Sequence, residues 1–146
     1  MLIVVDTNCL IQILPKRAEH RWLFDALLQG KVALGLTNEI IAEYEEVLNS
    51  FFESTTLGGN VCRTLLELPQ TQRINVYFNW QLIPADPDDD KFVDCAIACN
   101  ADFIITHDAH FKVLKKIKFP KITCLPLSRF MNVCNPFHRP TVQTVL

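Results

Sequence analysis

The sequence predicts an α/β fold: a single-domain, three-layer α/β/α sandwich around a central parallel sheet. Three observations carry that expectation. An apolar, β-branched run, Leu2–Val5, leads directly into Asp6, the pattern of a strand buried on both faces. A second apolar run, Phe103–Thr106, ends two residues before Asp108. Between and around these runs apolar residues recur at helical spacing, so strands alternate with helices, which is how a parallel sheet is covered on both sides. Sheets of this kind place their sites outside the carboxyl ends of the strands, where Asp6 and Asp108 fall.

Each further element follows from its local pattern. Trp22, Leu23, Ala26 and Leu27 predict a helix over 19–29, closed by Gly30. Val32–Leu36 reads as the second strand. Thr37 or Asn38 can cap a helix reaching about Phe52. Its apolar stripe is Ile40, Tyr44, Val47 and Phe51, joined by Ile41, Leu48 and Phe52. Another helix is expected over 60–68, stopped by Pro69. Ile74, Val76 and Phe78 alternate, so 70–83 is expected to be extended. Pro84–Asp90 is an acidic turn, followed by a helix over 89–100, the strand Phe103–Thr106, a short helix over 110–117 and a last strand, Ile122–Leu125. The domain is expected to occupy 1–131, followed by a tail at 132–146 that has little periodicity from Pro136 onward.

Bulk properties narrow the function classes. A chain of 146 residues suits one domain with a substantial core. Its 49% apolar and 21% charged content excludes a disordered or fibrous protein. No apolar run approaches the roughly 20 residues of a membrane span, and no signal-peptide pattern opens the chain, so a cytoplasmic protein with no membrane partner is expected. The six cysteines, Cys9, Cys62, Cys95, Cys99, Cys124 and Cys134, form no CxxC pair and read as free buried thiols rather than a zinc site. A net charge of −2 does not advertise nucleic-acid binding. The charges are segregated, however: acids crowd Asp86–Asp90 and Asp94, while Lys112, Lys115, Lys116, Lys118 and Lys121 form a late basic stretch.

The acids carry the chemistry. Asp6 and Asp108 at neighbouring strand ends would repel unless a cation neutralised them. Hard carboxylate oxygens suit Mg²⁺ or Mn²⁺ rather than zinc. Either acid alone is equally well accounted for as a cap of the turn that follows it. Glu43 lies at the margin of its helix's apolar stripe, where it can lean over the sheet edge, although a solvated flank residue explains it too. Asp88, Asp89 and Asp90 precede a helix, where one acid is readily explained by the helix N-terminus but a whole cluster is not. Asp90 and Asp94 lie four apart on one face, which is unfavourable without a neutralising cation such as Lys91.

Taken in order, Val4-Val5-Asp6-Thr7-Asn8, Ile40-Ile41-Ala42-Glu43, Asp86-Pro87-Asp88-Asp89-Asp90-Lys91-Phe92 and Ala101-Asp102-Phe103-Ile104-Ile105-Thr106-His107-Asp108 closely resemble the PIN-domain nucleases, especially the bacterial toxin components of toxin–antitoxin pairs. The likeness runs from residue 2 to about residue 130. The resemblance implies a PIN-like fold and a metal-dependent endoribonuclease that uses Mg²⁺ or Mn²⁺. It implies an acidic quartet of Asp6, Glu43, Asp89 and Asp108, with Asn8 and Thr106 as polar neighbours. The match around Lys91-Phe92 favours Asp89 as the third acid, whereas helix geometry puts Asp90 on the face of Asp94; Asp89 is preferred, and Asp94 is expected as a further metal-binding acid in the pocket. RNA is the implied substrate, with Lys112 and Lys115 as candidates for meeting its phosphates. An antitoxin partner and a homodimer are implied by the resemblance alone.

Two other readings compete. A phospho-acceptor signalling domain also gathers acids and Mg²⁺ at a sheet end, but it leaves Glu43 without a role. A catalytically inactive PIN-like module that binds RNA or a partner would have little reason to keep clustered charge. No GxSxG elbow, phosphate-binding GxxxxGK[ST] loop or dinucleotide GxGxxG turn is present.

Overall fold

The computed structural model describes residues 1–134; the part of the expected tail beyond them, Pro136 included, lies outside the described residues. Five strands, β1 (Leu2–Val5), β2 (Ala33–Leu36), β3 (Gln72–Arg73), β4 (Phe103–Ile105) and β5 (Cys124–Leu125), make one sheet in the order β3-β2-β1-β4-β5. Every neighbouring pair is parallel. The helices are α1 (Thr7–Ile13), α2 (Arg21–Leu28), α3 (Asn38–Phe51), α4 (Leu57–Glu67), α5 (Asp90–Cys99) and α6 (Leu127–Cys134), with 3-10 segments at Pro87–Asp89 and Ala109–Lys116. The expected parallel α/β sheet is therefore present.

Strand order grows from β1 in both directions, to β2 and β3 on one side and to β4 and β5 on the other. The switch point of the sheet therefore lies between β1 and β4, where open α/β sheets hold their ligands. The register is Ile3 opposite Phe103, Val4 opposite Ile104 and Val5 opposite Ile105. Continued by one residue, it brings Asp6 beside Thr106, and the Asp6 amide donates to the Ile105 carbonyl at 3.0 Å. The core residues of β1, Ile3, Val4 and Val5, are buried, as strands covered on both faces must be.

Helix α3 shows how packing places a polar group. Thr37 caps it, its hydroxyl accepting from the Ile40 amide at 3.2 Å. Ile40, Tyr44 and Leu48 are buried, and the Tyr44 hydroxyl donates to the Val5 carbonyl. That bond ties the turn carrying Glu43 to the strand that ends at Asp6. Phe51, expected in the same stripe, is instead 61% exposed: the helix ends at that residue, and Phe52, which follows it, packs inward.

Four local features add to or sharpen those expectations. Helix α1 starts immediately after β1 and buries Cys9, Leu10 and Ile13, in a segment that had no assigned element. Helix α6 buries Leu127 and Phe130 and runs through residue 131 to Cys134. Residues 109–116 wind as a 3-10 helix. The extended segment over 70–83 pairs with the sheet only at Gln72 and Arg73. The Ile74 amide still donates to the Leu36 carbonyl of β2 at 2.7 Å; further along, two amides turn to helix α5, Trp80 donating to Asp94 at 3.0 Å and Ile83 to Asp90 at 2.9 Å. Carboxylates thus satisfy backbone donors that a neighbouring strand would otherwise have met. No helix among the described residues is long and apolar enough to cross a membrane.

Removing the Tyr44 hydroxyl should loosen α3 from β1 with little change of shape. Tyr44→Phe is expected to lower unfolding free energy by about 1 kcal/mol, and Tyr44→Ala by about 3–5 kcal/mol through the cavity it leaves. Urea denaturation followed by circular dichroism checks both values.

Candidate metal centre

The site assembles where β1 and β4 end. Asp6 is 5% exposed, and one of its carboxylate oxygens accepts from the Thr106 hydroxyl at 2.8 Å. The same hydroxyl oxygen accepts from the Asp108 amide at 3.0 Å, so a single side chain fixes both acids of the strand ends. Burial pushes the Asp6 carboxyl above its ordinary range; the Thr106 bond works against that, and the charges of Asp108 and Glu43 add to it.

Glu43 reaches the same edge from α3. One oxygen accepts from the Thr7 hydroxyl at the start of α1. The other pairs with Lys91 of α5 at 2.9 Å. Lys91 also donates to the Asp88 carbonyl at 2.6 Å. The lysine therefore neutralises Glu43 rather than the Asp90–Asp94 pair that its spacing had suggested.

Asp89 closes the 3-10 turn in front of α5. Asp86, not Asp89, caps that turn, accepting from the Asp88 amide at 3.1 Å. Asp89 is 8% exposed, and its Oδ2 is buried with no hydrogen-bond partner. The His110 ring Nδ1 lies 3.4 Å from that oxygen and works against the rise in its proton affinity. Burial, followed by the charges of Asp108, Asp86 and Asp6, pushes the Asp89 carboxyl up to about 6. Asp108 accepts from the His110 amide at 2.8 Å and lies 3.4 Å from the same ring nitrogen.

The structure thus brings Asp6, Asp89 and Asp108 within mutual electrostatic reach, with Glu43 acting on Asp6. One atom each from Asp86, Asp89 and His110 also lie within 4.8 Å of one another. Asp90 and Asp94 are engaged elsewhere, holding the Ile83 and Trp80 amides. Asp94 lines a cleft of 620 Å³ with Glu43 and Lys91. Asn8 is exposed and lines a 480 Å³ cleft with Asp6 and Asp108. Lys112 and Lys115 line a 210 Å³ cleft on the other side of Asp108, together with Arg129 and Thr106. Sequence reasoning did not single out Thr7 and Arg129, and gave Asp86 and His110 no role at the site. Thr7 stands next to Asp6 and could have been found as a hydroxyl on the first turn of a helix, had α1 been assigned.

This donor set fits a hard divalent cation. It offers carboxylate oxygens, one of them buried and without a hydrogen bond, in a place where like charges raise one another's proton affinity.

A sequence model of the PIN domain matches residues 2–110. The chain belongs to the PIN-domain family. Its fold is similar to that of a solved chain of VapBC2 from Rickettsia felis, whose crystal structure is bound to a DNA fragment from their promoter. The TM-score is 0.59 at 16% identity, over 86% of this chain and 98% of that one. No curated protein matches the sequence. The strand order of this PIN domain differs from the 2-1-3-4-5 order of phospho-acceptor receivers, so the signalling alternative fails on topology.

The pH dependence follows from Asp89. Its folded carboxyl holds a proton up to about pH 6, whereas an unfolded chain releases it near 3.8. Between those values the native state binds more protons, so its stability falls as pH rises. In EDTA, Asp89→Asn should therefore gain melting temperature relative to the native chain on going from about pH 5 to about pH 7.5. A gap between the two proteins that stays constant across that range contradicts the assignment.

Proposed function

We propose that this PIN domain is a metal-dependent endoribonuclease and the toxin of a toxin–antitoxin pair, with Asp6, Glu43, Asp89 and Asp108 as its acidic quartet. The observation that carries the reading is the buried Asp89 Oδ2, without a hydrogen bond, near Asp6 and Asp108. A buried carboxylate oxygen without a hydrogen bond is a favourable place for a cation to bind. Asp89 is also preferred over Asp90 as the third acid because Asp90 spends an oxygen on the Ile83 amide.

Bound Mg²⁺ or Mn²⁺ would supply a water of lowered pKa and neutralise charge on the phosphoryl oxygens. The chain's own residues set the stage for that chemistry. Thr106 holds one Asp6 oxygen and so aims the carboxylate, while Asp108 is held through its amide by the same side chain. Glu43, with its oxygens engaged by Thr7 and Lys91, is held in a fixed position at the same edge. Lys112, Lys115 and Arg129 beside Asp108 give the phosphate backbone of RNA a positive approach. In-line attack releasing the 3′-oxygen would leave 5′-phosphate and 3′-hydroxyl ends. The fold likeness to a VapBC2 chain supports an antitoxin partner and a homodimer, and cellular RNA as substrate suits a cytoplasmic location. Asp94 joins the reading as a further acid bordering Glu43.

Purified protein, freed of any antitoxin, is expected to cut a mixed RNA pool with Mg²⁺ or Mn²⁺ and to be silent in EDTA. Asp6→Asn should slow cleavage by roughly 100-fold or more. Metal-independent cutting, or full activity in folded Asp6→Asn, refutes the proposal.

A further inference from the structure

The 480 Å³ cleft beside Asp6 and Asp108 holds more than acids. Phe51 stands on one side of it, 61% exposed at the end of α3. Asn8 and Gln12 of α1 also line it, and His107 lies at the end of β4. Asn8 and Gln12 are four residues apart, so their amides lie on one face of α1. Both are exposed, as is His107. This lining differs from that of the clefts on either side. The cleft past Asp108 has Lys112, Lys115 and Arg129 for phosphates, whereas this one has no lysine or arginine among its lining residues.

The exposed ring of Phe51 borders the candidate reaction centre. Phe51 lies edge-on to Phe52 at 4.9 Å between ring centroids, which steadies the ring. Flat aromatic faces stack unpaired bases, and side-chain amides can read base edges through paired donors and acceptors. We propose that Phe51, Asn8 and Gln12 form a nucleobase subsite that holds one unstacked base next to the scissile phosphate. This inference rests on the ribonuclease reading and names where at that site a base would sit, between the Phe51 ring and the α1 amides. A duplex cannot present a base to this cleft without losing a pair, so paired RNA is a poor substrate. The phosphates run past Asp108 towards Lys112 and Lys115, while the base turns the other way, towards Phe51. Amide donors and acceptors give the subsite a preference among bases, which Gln12 and Asn8 set and Phe51 does not.

The test is fluorescence anisotropy of labelled single-stranded homopolymers of A, C, G and U, and of an abasic ribose-phosphate oligomer, with Asp6→Asn protein in Mg²⁺ so that nothing is cut. Phe51→Ala in that background should weaken homopolymer binding by roughly 5- to 100-fold, leave abasic binding unchanged, and be rescued by Phe51→Tyr. Gln12→Ala should narrow the differences among the four homopolymers. Because Phe51 is exposed, its replacement leaves folding intact, which melting curves verify. Homopolymer binding that Phe51→Ala does not weaken overturns the subsite while leaving the ribonuclease reading in place. Failure of every oligomer to bind overturns both.

Discussion

Negative charge is hard to gather at the edge of a sheet that is closed to water on both faces. Each carboxylate that approaches another in such a place raises its neighbour's affinity for protons, and burial adds to the effect. In this PIN domain Asp6 and Asp89 feel that penalty directly, both from burial and from Asp108. Much of the surrounding polar architecture serves to hold these acids in place against it. Thr106 spans two strand-end acids, and Thr7 and Lys91 grip Glu43. His110 stands 3.4 Å from both Asp89 and Asp108. Only Asp89 Oδ2 keeps a buried oxygen without a hydrogen bond among the described residues.

The fold makes this possible through connectivity. Because β1 sits between β2 and β4, the first strand of the chain and a strand about 100 residues later end side by side. Helix α3 returns over β1 through Tyr44, and α5 starts from the acidic turn. Four separate stretches of sequence thus deliver one acid each to a single edge, with rigid elements behind three of them. Sites borne on such elements are held more closely than sites on free loops.

Much of this was legible in the sequence, for physical reasons that can be named. The strands ending at Asp6 and before Asp108 are short apolar runs that only a doubly covered sheet accommodates. The cap at Thr37 and the stripe through Ile40, Tyr44 and Leu48 fix the face of α3 and hence the lean of Glu43. Other features were not legible. Helix α1 follows β1 without a connecting loop and has only seven residues, too few for a helical periodicity to stand out. The alternation of Ile74, Val76 and Phe78 suggests a longer strand, but pairing with β2 stops after the Ile74 amide, and further along α5 carboxylates take the Trp80 and Ile83 amides. The partner of Lys91 could not be inferred either, because local spacing pointed to Asp90 and Asp94 while tertiary packing supplied Glu43. Side-chain pairing between distant elements leaves no periodic trace.

The account stands or falls on whether these acids hold a divalent cation. Calorimetric titration of Mn²⁺ into protein stripped with EDTA measures this without reference to any substrate. Saturable binding by the native chain, weakened at least about 10-fold by Asp89→Asn, is the result predicted. Absence of binding to the folded native chain, or equal binding by the two proteins, would contradict it.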